Sequence, residues 1–214
     1  MKCLHQAPLT VCRHLAYALT LLALSACSAL SPTARPPPAF YTLDAPQVMA
    51  AIAVPSLAGT STRTLLINPT QALAGFDSQR IIYVQEPHKL DYFAHSEWVE
   101  PPARMMAPLL VTAIERTGAF GTVVLMPGAA RGDWRLETTL IRLQHDFQTR
   151  PSQVRFTLRA LLVDEKTHAV LAVQEFDAQA PAPSEDPQGG VTAAHSAVQT
   201  VLARLARFLA ERSL

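Results

Sequence analysis

A chain of 214 residues is long enough for one domain or two small ones. Hydrophobic residues make up 49% and charged residues 16%, a globular composition that excludes a disordered chain. With 18 Lys+Arg against 17 Asp+Glu, a formal net charge of +1, nothing in the balance points to nucleic acid as a partner.

Residues 1–14 carry Lys2, Arg13, His5 and His14 and no acid. The run Leu15 to Leu24 is then apolar apart from Thr20. It is shorter than the about 20 apolar residues a membrane span requires, and it has the basic start and small-residue end of a secretory signal. Leu24-Ser25-Ala26-Cys27 resembles the lipobox of bacterial lipoproteins. That resemblance implies cleavage between Ala26 and Cys27, a diacylglycerol on the Cys27 thiol and an acyl chain on its new amino group. Cys3 and Cys12 fall in the leader, so Cys27 is the one cysteine of the processed chain. An unpaired thiol in an exported protein is unusual unless it is consumed, and lipidation consumes it. No intramolecular disulfide is then available.

Several acyl chains hold a protein stably at a bilayer where one does so only marginally. Removal of Lys2 and Arg13 leaves 16 basic and 17 acidic side chains, so attraction to anionic headgroups is not the holding force. Ser28 follows the cysteine, where an aspartate would resemble an inner-membrane retention signal. The expected address is therefore the periplasmic face of the outer membrane.

The expected organisation is a cleaved leader at 1–26, a lipidated Cys27 with a tether to residue 39, and one domain over 40–214. The tether contains Pro36-Pro37-Pro38, which favours extended polyproline structure. Phe40-Tyr41-Thr42-Leu43 is β-prone and opens the domain. Ile52 to Pro55 and Thr64 to Ile67 are short strand candidates. Arg80 to Gln85 is a stronger one, with Ile81 and Tyr83 on one face and Ile82 and Val84 on the other, closed by a turn at Glu86-Pro87-His88.

After Pro101-Pro102, residues Met105, Met106, Leu109, Leu110, Ala113, Ile114 and Thr117 form one helical stripe ending at Gly118. Pro108 inside it predicts a later start or a kink. Phe120 to Met126 reads as a strand. Trp134 to Phe147 alternates until its phase shifts at Ile141, which predicts a bulge. Val154 to Leu162 alternates, Asp164 to Thr167 is a polar turn, and His168 to Ala178 alternates again, a predicted hairpin. Pro181 to Gly190 reads as a loop. Val191, Val198, Val201, Leu202, Leu205, Phe208 and Leu209 then mark an amphipathic terminal helix, opposite Arg204, Arg207, Glu211 and Arg212. The whole predicts an α+β fold, a mostly antiparallel sheet with helices on one face.

No nucleophile elbow, phosphate loop, dinucleotide fingerprint or zinc-protease motif is present. His88, His95, His145, His168 and His195 are spaced like surface or edge residues rather than metal ligands. Glu97 and Glu100 flank Trp98 as solvated loop acids. The expectation is a protein without catalysis, metal or cofactor other than its acyl chains.

The order Ile82-Tyr83, Leu90-Asp91-Tyr92-Phe93-Ala94, Trp98-Val99-Glu100-Pro101-Pro102 and an apolar helix ending Gly118-Ala119-Phe120 resembles the ABC-type transport auxiliary lipoprotein family. The Phe40-Tyr41-Thr42-Leu43 start, the long hairpin and the terminal helix fit it as well. The resemblance implies an accessory subunit of a transporter that uses a mammalian-cell-entry substrate-binding protein to move lipids between membranes. Its implied partners are that protein, other transporter subunits and the membrane, and self-association stays open. A structural outer-membrane lipoprotein that assists assembly of an envelope complex is the alternative. Tyr83, Tyr92, Phe93 and Trp98 have two readings: packing at the sheet edge, or a partner surface, where aromatics concentrate binding energy.

Overall fold

The structure, a computed structural model, describes residues 37–44 and 61–213. The lipobox at Ala26-Cys27, the tether up to Pro36 and the strand expected at Ile52 to Pro55 lie outside the described residues. Residues from Pro38 onward belong to one unit.

Nine described strands make one sheet: β1 (Ala39–Tyr41), β2 (Thr64–Ile67), β3 (Gln71–Ala72), β4 (Arg80–Val84), β5 (Asp91–Trp98), β6 (Thr122–Leu125), β7 (Trp134–Asp146), β8 (Gln153–Asp164) and β9 (Val170–Pro181). Helix α1 (Pro102–Glu115) lies between β5 and β6 in the chain, and α2 (Pro187–Ser213) follows β9. The fold is α+β, with both described helices packed on the sheet and against each other.

Strand β7 organises the sheet. Along one edge it pairs antiparallel with β8 over its whole length, and β8 pairs antiparallel with β9. Along its other edge three short strands take turns, all parallel: β2 beside Leu136, β3 beside Thr139-Leu140 and β4 beside His145-Asp146. The antiparallel expectation thus holds for the long meander, whereas most of the short strands join through parallel pairs. The predicted bulge is present, with the β7–β8 register shifting between Leu140 and Arg142. It lets Leu136, Leu140 and Leu143 all reach the helix side despite their odd spacing, and each is buried.

Core packing follows the predicted stripes. Met106, Leu109, Leu110 and Ile114 of α1 and Val198, Val201, Leu202, Leu205 and Leu209 of α2 meet Phe156, Leu158 and Leu162 of β8 in one cluster. Each such aliphatic side chain contributes roughly 1.5–3 kcal/mol by leaving water. The helix α1 starts at Pro102 and runs through Pro108 rather than beginning after it. Pro108 and Arg104 are both exposed, so the Arg104 carbonyl that loses its helical donor faces solvent. Gly118, with φ of 64°, then ends the helix, and the Thr117 hydroxyl donates to the Ile114 carbonyl at 2.6 Å.

Three sequence expectations are corrected. The strand expected over Phe120 to Met126 is only Thr122–Leu125, because Ala119 and Phe120 turn into the core. The loop expected up to Gly190 ends earlier: Asp186 caps α2, its carboxylate accepting the Gly189 N–H at 2.7 Å, so Gly189 and Gly190 are helical. Leu90 to Trp98, which shows no clear alternation, is mostly strand β5. Its pairing with β4 jumps from Arg80↔Glu97 to Ile82↔Tyr92, so the period breaks in the middle. Glu97, expected in a solvated loop, is a half-buried residue of that strand.

Candidate interaction surface

Strands β1, β5 and β4 form one end of the sheet in that order, and register assigns the faces of their side chains. On the helix side lie Trp98, 3% exposed, and Ile81, both in the core. Tyr83 and Phe93 share that side, their ring centroids 4.8 Å apart. Phe147, just past β7, meets the Tyr83 ring edge-on at 5.8 Å and the His145 ring at 4.1 Å. These aromatics are packing residues, each filling the sheet edge under the start of α2.

Tyr92 points the other way. It is 50% exposed, and the Arg80 guanidinium lies 4.1 Å from its ring centroid. Arg80 stands opposite Glu97, which stands opposite Phe40 of β1. Phe40 is 58% exposed, and Val99, two residues beyond Glu97, is also exposed. One face therefore presents Phe40, Val99 and Tyr92 around the pair Arg80 and Glu97. The four aromatics singled out in the sequence thus divide: Tyr83, Phe93 and Trp98 pack inward, and Tyr92 alone joins this surface. Phe40 and Val99 were not singled out as site residues. Exposure of Phe40 follows from its place on a three-residue strand, which no local pattern encodes.

The same open face beyond β4 carries polar pairs, together with the exposed Val173 of β9. Arg135 donates to Glu165 at 2.7 Å and to Glu137 at 3.0 Å, Arg159 faces Glu175 at 3.3 Å, and the Thr157 hydroxyl donates to Asp177 at 2.6 Å. Such pairs keep that part of the face solvated and add little stability individually.

His145 departs from the surface reading of the histidines. It is 2% exposed on β7, its Nε2 shares a 2.9 Å hydrogen bond with the Ser152 hydroxyl, and its Nδ1 has no hydrogen-bond partner. Burial pushes its pKa down, against the opposing pull of Asp186, Glu185 and Asp146. The alternation that places Leu143 inside also places residue 145 inside, and that was the available signal. His195 on α2 is half-buried; its Nε2 accepts the Asp44 N–H at 3.3 Å, and burial lowers its pKa too. Leu43 beside it is buried, its N–H 3.4 Å from the Met105 sulfur. The segment after β1 is thereby fastened to both helices.

Neither of two hollows resembles an active site. The one beside His145, Gly190 and Ala194 has about 10 Å³, no more than one water molecule needs. A groove of about 510 Å³ at the β2–β3 break is open, and its single acid, Glu137, is already engaged by Arg135. Among the described residues no three His, Cys, Asp or Glu side chains converge as metal ligands. No described helix is long and apolar enough to cross a membrane.

The model of the ABC-type transport auxiliary lipoprotein component family matches residues 41–206. The chain belongs to that family. Its members are auxiliary lipoprotein components of ABC-type transport. A crystal structure of a Xanthomonas campestris protein is similar at 21% identity, covering 81% of this chain and 96% of that one, with a TM-score of 0.68. The crystal structure of an uncharacterized protein is similar at 12% identity, covering 81% and 99%, with a TM-score of 0.63. These likenesses establish the fold. No curated protein sequence matches the chain.

Proposed function

We propose that this protein is a non-catalytic, lipid-anchored accessory subunit of an ABC-type lipid transport system of the mammalian-cell-entry class. Acyl chains on Cys27 hold it at the periplasmic face of the outer membrane, where it docks the periplasmic components of the transporter. The observation that carries this reading is the family match over residues 41–206, which begins shortly after a lipobox and a Pro-rich tether. The near-neutral processed chain agrees, because anchoring then falls to the acyl chains.

The test is intact mass and membrane fractionation of wild type beside Cys27→Ala, followed by co-purification with a mammalian-cell-entry protein from the same cell. Loss of residues 1–26, added acyl mass, outer-membrane location and capture of that protein support the reading. A soluble, unacylated wild type, or an acylated protein that captures no transporter subunit, overturns it.

A further inference from the structure

We infer that Phe40, Val99 and Tyr92 form a membrane-contacting patch that lays the open face at the β1 end of the sheet against the lipid surface holding the anchor. This rests on the acylation of Cys27 proposed above. The patch is defined by register: Phe40 and Glu97 are partners, Glu97 and Arg80 are partners, and Arg80 stacks on Tyr92. All therefore project from one face, opposite the helices. Phe40, Tyr92 and Val99 are all well exposed; elsewhere that face carries paired charges and, out on β9, the exposed Val173.

The tether selects the occupant. Cys27 precedes Ala39, the first residue of β1, by a stretch that spans at most about 40 Å when fully extended. Phe40 is the next residue, so it is among the parts of the sheet that the anchor keeps nearest the bilayer. A short tether raises the local concentration of lipid at the patch, and weak apolar contact then suffices where it would fail for a free protein. Side-chain chemistry agrees. Phe and Tyr rings with an Arg between them suit the headgroup boundary, where apolar bodies insert and polar ends stay wet. Arg80 is opposite Glu97, so the patch carries little net charge and its contact is apolar rather than electrostatic. Strand β6, with its exposed Leu125, lies beside β2 at the Leu136 end of β7, whereas β4, and through it β5 and β1, joins the same edge of β7 at its His145 end. Leu136 and His145 are nine residues apart on β7, roughly 30 Å of strand.

The experiment uses the full acylated protein in vesicles of phosphatidylethanolamine and phosphatidylglycerol containing acyl-brominated lipid. Phe40→Trp and Leu125→Trp are compared, each in a background with the same two native tryptophans. Greater bromine quenching of the added indole for Phe40→Trp, at least about twofold over Leu125→Trp and insensitive to salt, supports the patch. Equal or lower quenching for Phe40→Trp overturns it and leaves the face to a protein partner. Val99→Ser with Tyr92→Ser provides the second arm: reduced quenching of Phe40→Trp is expected, and unchanged quenching counts against a shared surface. Intact mass of the same samples separates the two readings. Acylated protein without quenching removes the patch alone, whereas unacylated protein removes the anchor and the patch together.

Discussion

Gly190, in the first turn of α2, sits directly over the imidazole of His145 on β7: a Cβ at Gly190 would lie 2.6 Å from Nδ1. The ring cannot yield cheaply, because Ser152 holds its Nε2 and Phe147 lies 4.1 Å from it. The glycine is thus what lets the helix start approach the sheet at its aromatic end.

Gly190→Ala should therefore destabilise the protein even though alanine is the better helix former by about 1 kcal/mol. Overpacking at such a site costs about 1–3 kcal/mol, leaving a net loss of up to about 2 kcal/mol in urea unfolding. Gly128→Ala is the control: nothing lies within 4 Å of its Cβ position, and stability should change by less than about 0.5 kcal/mol.

Acid should weaken the fold through two histidines. Burial lowers the pKa of His145 and of His195 below the ordinary 6.5. The unfolded chain then binds protons that the folded chain refuses as pH falls below 6.5, so stability is full above that value and declines beneath it. Calorimetry should find a Tm that is flat down to about pH 6.5 and falls on further acidification. His145→Phe should flatten part of the acid slope, and an unchanged slope would assign it elsewhere.

The hydroxyls of Thr70 and Thr138 share a buried 2.7 Å hydrogen bond where β2 gives way to β3 along β7. Thr70→Val or Thr138→Val alone leaves one hydroxyl unsatisfied and should cost about 1–3 kcal/mol. The double variant should cost clearly less than the sum, because it removes both polar groups together. Additive costs in a denaturation cycle would show that the two hydroxyls act independently.

Asp186 caps α2 through the Gly189 N–H, and that hydrogen bond is the first cause holding its carboxyl below the ordinary 3.8. Asp186→Ala should lower stability by about 1 kcal/mol at neutral pH. The contribution is present above the unfolded value of 3.8 and disappears as pH falls through the lower folded pKa, so wild type and variant should converge in strong acid.

Strands β7, β8 and β9 were legible because each is long enough for alternation to rise above noise, and even the bulge at Ile141 announced itself as a phase shift. Helix stripes at Met105 to Ile114 and Val191 to Leu209 were equally plain. Strand β5 was not, since its own irregular pairing scrambles Tyr92, Phe93 and Ser96 between faces. The early start of α2 was missed because two glycines read as loop, whereas the cap that overrides them is a single side-chain hydrogen bond.

By itself the order of residues determined the lipobox resemblance, the α+β class, the long meander and the helix faces, all of which depend on neighbours a few positions apart. Only the tertiary structure decided that three short strands share one edge of β7 and that Tyr92 parts from Tyr83, Phe93 and Trp98. The physical reason is register: which face a side chain takes is set by the partner strand, and partners such as Phe40 and Glu97 are far apart in the chain.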